Sequence, residues 1–165
     1  CSLVDKPADW LQYPLYKAAA PYAERAFIHM SLETTAIKKT IVNLSRASGP
    51  DRVLDAEIAS ILGWSSQPEQ YEDQKTGETL IRHLWFNPDG QQDKVPRYTW
   101  NLDLAIELIK QFASDIEGGF GWEPGKASAS FNANNATLAN SVILATCMQA
   151  LLIRLRQLES IETSS

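Results

Sequence analysis

The 165-residue sequence predicts an α+β fold, an α-β-α sandwich in which a small, mainly antiparallel sheet is flanked by helices. Three observations predict it. Apolar residues recur at three- and four-residue spacing in three segments, and a fourth is apolar nearly all round. Between these segments lie short runs of strand character, each next to strong turn residues: Asn87-Pro88-Asp89-Gly90 after the first pair of helices and Pro124-Gly125 after the third. Finally, 44% hydrophobic and 21% charged residues describe an ordinary globular chain, long enough for one proper core.

Residues 1–29 differ from the remainder of the chain. Pro7, Pro14 and Pro21 divide them, and Trp10, Tyr13, Tyr16, Tyr22 and Phe27 make them aromatic-rich. They read as a partly helical or irregular extension, dispensable for folding, ahead of a sandwich domain over residues 30–160 and a disordered tail at 161–165. Met30 followed by Ser31, a good N-cap, marks the expected start. Helix one is predicted over residues 31–47, with Leu32, Ala36, Ile37, Ile41 and Leu44 on one face, and Gly49-Pro50 ends it. Helix two follows to Leu62 with the stripe Val53, Leu54, Ile58, Ile61 and Leu62, stopped by Gly63. The polar residues 65–77 read as a loop. Residues 79–86 read as a strand with large apolar groups at both parities, and a second strand near 95–100 would complete a hairpin, with Pro96 arguing for an edge. Asn101 caps helix three, whose stripe of Leu102, Ala105, Ile106, Ile109, Phe112, Ala113 and Ile116 is stopped by Gly118-Gly119. Strands at 120–123 and 127–133 form a second hairpin. Thr137 then caps helix four, which runs to about residue 158. Its apolar girth predicts the most buried helix of the protein. Trp122 is expected to anchor its short strand by packing against helix three or four, with Phe120 on the same face.

Composition excludes several functions. The net charge is −5, and no run of Lys and Arg predicts a basic patch, so neither nucleic acid nor an anionic membrane is an expected partner. The longest apolar stretch, residues 142–153, contains Thr146 and Gln149 and falls short of the ~20 residues that span a bilayer. The expectation is a soluble protein. Two cysteines cannot form a disulfide scaffold, and Cys147 reads as a small buried hydrophobe. Cys1 is expected to carry no special chemistry; the alternatives are an N-terminal nucleophile, which needs more strands than the pattern offers, and a lipidated cysteine, which Ser2 fits but the non-linker run Leu3-Val4-Asp5-Lys6-Pro7 does not.

Catalytic patterns are equally sparse. His29 and His83 stand far apart without ligands at helical or turn spacing, so no metal site is expected. Gly118-Gly119-Phe120-Gly121 follows a helix and opens a strand, the reverse of a phosphate-binding loop, and no cofactor is expected. Asp51, Asp55 and Glu57, and the pair Asp103 and Glu107, read as charged helix faces rather than acid–base pairs. The aromatics Tyr98, Trp100, Trp122 and Phe131 sit at neighbouring strand ends. They read chiefly as core closure, with recognition of an apolar partner as the alternative.

The run Gly49-Pro50-Asp51-Arg52-Val53-Leu54-Asp55-Ala56-Glu57-Ile58-Ala59, then Gly63-Trp64, Arg97-Tyr98-Thr99-Trp100-Asn101-Leu102-Asp103, Gly121-Trp122 and the apolar C-terminal helix through Thr146-Cys147-Met148 resembles the phage ABA sandwich domain family. The resemblance covers about residues 32–155. The chain departs from the family pattern at Trp100-Asn101, where small hydroxyl residues are usual. The resemblance implies an origin in a phage or prophage genome, residence in the bacterial host cytoplasm or on the virion, and no catalytic residues to carry over. The leading expectation is a non-enzymatic accessory protein that binds a host or phage protein through a surface including Arg97, Tyr98, Trp100 and Asp103. The alternatives are a small-molecule-binding or hydrolytic enzyme with a site assembled from scattered residues, and a minor structural protein of the virion.

Overall fold

The computed structural model describes residues 14–132 and 134–164. In chain order the elements are α1 (Pro14–Arg46), α2 (Arg52–Ile61), β1 (Ser65–Glu72), β2 (Thr79–Phe86), α3 (Leu102–Phe112), β3 (Gly118–Glu123), β4 (Lys126–Phe131), β5 (Thr137–Ala139) and α4 (Val142–Thr163). The fold is α+β. Its strands form two antiparallel sheets rather than one, a β1–β2 hairpin and a three-stranded sheet in the order β3-β4-β5. Cys1, Trp10 and Tyr13 lie outside the described residues.

Helix α4 is the centre of the core, as its apolar girth predicts. Leu144, Ala145, Cys147, Ala150 and Leu151 are fully buried, and α1, α3, β4 and β5 pack around it. It extends to Thr163, past the expected end. Its cap is Ser141, whose hydroxyl accepts the Leu144 N–H at 3.2 Å, rather than Thr137. Thr137 belongs to β5 and donates its hydroxyl to the Ala145 carbonyl at 2.8 Å, tying strand to helix. Thr146 and Gln149 are the fully buried polar side chains described in α4; Thr146 donates within the helix, to the Val142 carbonyl at 2.7 Å, whereas Gln149 reaches out of it. Gln149 donates from Nε2 to the carbonyls of Ala129 (3.0 Å) and Asn135 (2.8 Å) and accepts the Phe131 N–H at Oε1 (3.4 Å). Strand β5 pairs with β4 only from Ala127 to Ala129, so Gln149 serves β4 backbone groups at the last paired residue, Ala129, and beyond it, at Phe131.

Helix α1 begins well before Ser31 and passes Met30 without interruption; Ser31 lies inside the helix, where its carbonyl accepts the Thr35 hydroxyl at 2.9 Å, and is not its cap. Among its described side chains, Arg25, Ala26, Ile28 and His29 are exposed, and packing against the core starts at Met30. Ile37, Thr40 and Leu44 are buried, whereas Leu32, expected on the apolar face, is exposed. Arg154 of α4 donates to Glu33 at 2.8 Å, half-buried between the two helices.

Three further expectations are corrected. Residues 65–72 form strand β1, not a loop, paired along their whole length with β2. Residues 95–100 do not form a strand. Beyond one bridge between Phe86 and Gln92, the segment is irregular, because side chains of α2 take up its backbone groups. Helix α3 stops at Phe112, and Gly118 opens β3 instead of ending the helix. A Cβ on Gly118 would lie 2.1 Å from the Ser130 carbonyl oxygen, so close backbone approach is what demands glycine there. Next to it, Asn132 holds a left-handed φ of 53°. It accepts the Glu117 N–H on Oδ1 at 3.0 Å while its own N–H donates to the Glu117 carbonyl at 2.7 Å.

Trp122 also departs from expectation. It is 74% exposed and packs against neither α3 nor α4 as predicted. Its parity was legible: Phe120 and Trp122 share the face of Ala129 and Ala127, their cross-strand partners. However, β3 is the outer strand, and α4 packs on β4 and β5. Phe120 reaches back to Phe131 edge-on, with centroids 5.5 Å apart, and Trp122 lies further out.

Candidate functional site

Two segments that lie more than forty residues apart in sequence meet where α2 and α3 begin. Asp51 caps α2, its Oδ1 accepting the Val53 N–H at 2.7 Å, and Asn101 caps α3, its Oδ1 accepting the Asp103 N–H at 2.8 Å. Both are short polar side chains in extended backbone, as helix starts require. Thr99 joins the two caps. Its hydroxyl oxygen accepts the Asp51 N–H at 3.0 Å.

Asp55 is the hub of this junction. It lies one turn into α2 on the same face as Ile58 and Ala59 and is only 1% exposed. Its Oδ1 accepts both the N–H and the hydroxyl of Thr99, each at 2.8 Å, and its Oδ2 accepts Arg52 Nη1 at 2.9 Å. Arg52 Nη2 in turn donates to the Val95 carbonyl at 3.0 Å. A buried carboxylate is tolerable only when its charge is met by such donors. Tyr98 is buried beside it. Burial pushes the Tyr98 phenol up to about 12, and the negative charges of Asp55 and of a Cys147 thiolate would add to that rise. Burial, followed by Asp55, likewise raises the Cys147 thiol far above its ordinary value, and this thiol lies 3.5 Å from the Tyr98 carbonyl.

A cleft of about 160 Å³ opens on the outer side of this lock, lined by Pro50, Asp51, Arg52, Asp55, Arg97 and Trp100. Of the expected surface residues, Arg97 and Trp100 are brought together here, and Trp100 is 62% exposed. Tyr98 instead is buried in the core, as is Thr99 after it, in the turn that leads into α3. Asp103 is exposed on the first turn of α3 and does not line the cleft. Trp122 stands on β3 and Phe131 is buried, so the expected aromatic surface reduces to Trp100.

The two carboxylates that line the cleft are already engaged. Asp55 spends both oxygens on structural donors, and Asp51 serves as a cap. The Arg97 carbonyl accepts the N–H groups of Trp100 and Asn101, each at 3.1 Å, but among the described residues its guanidinium has no hydrogen-bond or ion-pair partner, and it lines the cleft together with Trp100. Glu57 is occupied by Lys39 and Asn43, and Glu107 by Lys110. Among the described residues no group of three or more His, Cys, Asp or Glu side chains could hold a metal ion, and no helix is long and apolar enough to cross a membrane. Arg52 and Asp55 were not singled out by sequence as parts of this surface. The signal was present in the helical spacing, since Asp55 falls on the buried stripe with Ile58 and Ala59, where a carboxylate needs partners. Comparison with family models, with curated proteins and with solved structures finds no match to this chain.

Proposed function

We propose that the protein is a non-enzymatic binding module that docks another protein at the Arg97–Trp100 cleft. The observation that carries this reading is an exposed tryptophan beside an unengaged arginine, on a backbone pinned from below by Asp55 and Thr99. Leaving an indole in water forgoes a large burial gain, and Trp and Arg are the side chains that most often dominate binding energy when a partner excludes water from them. A rigid base means that little ordering entropy is lost on binding. The cleft is smaller than the ~300–1,000 Å³ usual for small-molecule pockets, which favours a partner's side chain over a metabolite. The resemblance to phage ABA sandwich domains supports a phage or prophage accessory role and a partner from the bacterial host or the phage.

The test is affinity capture from infected host cells with the parent protein, Trp100→Ala and Arg97→Ala. A stoichiometric partner retained by the parent and lost by both variants, at unchanged melting temperature, is the expected result. Recovery of no partner, or of one that both variants retain, would defeat the proposal.

A further inference from the structure

The β1–β2 hairpin stands apart from the rest of the fold. Its base is held by Trp64 and Trp85, which pack against the core, while most of its length is exposed on both faces. Its two outer edges are unlike. At the base, the Asp93 N–H donates to the Trp85 carbonyl at 3.0 Å and the Asn87 N–H to the Gln91 carbonyl at 2.9 Å. Trp85 therefore turns its backbone groups away from β1. Alternation along the strand turns those of Thr79, Ile81 and His83 the same way. These three residues have no hydrogen-bond partner on that side among the described residues. On β1 the corresponding outward position opposite His83 is Pro68, which has no N–H to offer. One edge is thus blunted and the other is open, and the open one carries the apolar side chains of Leu80 and Ile81, the latter 63% exposed. An open edge of this kind is a template for another strand.

We infer that the open edge of β2 pairs with β2 of a second copy, antiparallel and centred on Ile81, to make a four-stranded sheet across a two-fold axis. The register follows from the free length. Thr79, Ile81 and His83 supply the outward groups, so an antiparallel partner that satisfies all three places Ile81 opposite Ile81, and Thr79 opposite His83. In this register Glu78 of the second copy falls opposite Leu84, and its chain must turn away at Gly77, before Trp85, whose carbonyl is already taken. The side chains suit this register. Leu80 falls opposite Arg82, the two Ile81 side chains cover each other, and no two like charges stand directly opposite. The charge on Arg82 is already met by Glu69 on its own hairpin, and its guanidinium lies over the Tyr71 ring. This self-complementarity of the strand is what commits the edge to a second copy; pairing with a strand of a different protein would instead leave the chain monomeric at every concentration. This inference is independent of the Arg97–Trp100 cleft.

Sedimentation equilibrium of the full chain tests it, together with amide exchange of the same samples. The expected result is a reversible monomer–dimer equilibrium in which the amides of Thr79, Ile81 and His83 become protected as concentration rises. Ile81→Lys would set two ammonium groups against each other and abolish the dimer. Gln70→Lys, across β1 on the same face but one strand further from the axis, would leave the dimer intact. A parent that stays monomeric at every attainable concentration overturns the inference. So does a dimer that survives Ile81→Lys, or one in which the Ile81 and His83 amides exchange as fast as in the monomer.

Discussion

Asp55→Ala is the perturbation that most directly tests the junction between α2 and α3. It removes three hydrogen bonds at once, two from Thr99 and one from Arg52. The consequences for the three donors differ. The Thr99 hydroxyl has a second acceptor in the Asp51 carbonyl at 3.2 Å and can turn to it. Arg52 is more than half exposed, so water replaces much of what it loses, and its ion pair is discounted accordingly. The Thr99 N–H has no such recourse, since Thr99 is fully buried. One orphaned buried donor costs about 1–3 kcal/mol. Adding a modest share for the charge-assisted bonds gives roughly 2–4 kcal/mol in total. For a chain of this size each kcal/mol lowers Tm by about 2–4 °C, so the variant should melt about 5–15 °C below the parent. Thr99→Val should cost less, because it keeps the N–H bond. A double-mutant cycle between Asp55→Asn and Thr99→Val should give a coupling of about 0.5–3 kcal/mol. Calorimetry or chemical denaturation provides the measurement. A loss below about 1 kcal/mol for Asp55→Ala would mean that water replaces the carboxylate and that the junction is not a rigid base for the cleft.

Leu144→Asp places an unpaired charge at a fully buried point of α4, at a cost of several kcal/mol against a typical stability of about 5–15, and should abolish soluble expression. A folded variant would refute the central placement of α4. Trp122→Ala should shift stability by no more than about 0.5 kcal/mol, because the side chain is exposed; a thermal melt checks this. Tyr98 makes stability pH-dependent on the alkaline side. Its pKa is raised in the folded state, so its contribution is complete below the ordinary phenol value near 10 and is lost as pH rises through about 12. Denaturation curves across that window should show the loss in the parent and a smaller one in Tyr98→Phe.

Helices were legible in the sequence wherever one face is buried and an end is capped. For α3, the Asn101 cap and the apolar stripe together locate the element. The Pro124-Gly125 turn and alternating residues 127–131 likewise locate the β3–β4 hairpin. Strand β1 was illegible because it is exposed on both faces, so no alternation marks it, and Pro68 argues against it locally. Residues 95–100 misled for the opposite reason. Val95 and Tyr98 are buried, but the backbone between them is satisfied by Arg52 and Asp55 from a distant helix, which no local pattern reveals. Of the site, Arg97 and Trp100 could be chosen from the sequence. Tyr98 could not be told from them, because whether an aromatic near a helix start turns in or out depends on the helix packed beneath it.

Gln149 has a consequence for how the molecule can vary. A helix that is apolar on every side could rotate or slide against its neighbours with little penalty, since one leucine serves nearly as well as another. The amide of Gln149 removes that freedom, because only one rotation of α4 reaches the carbonyls of Ala129 and Asn135 and the N–H of Phe131 together. It acts as the missing neighbour of β4 where β5 gives out, which ties completion of the sheet to the arrival of α4. A chain cut before α4 would leave that stretch of β4 open to other strands. Homologues free to exchange Leu, Ile, Val and Met along α4 should hold this one glutamine fixed.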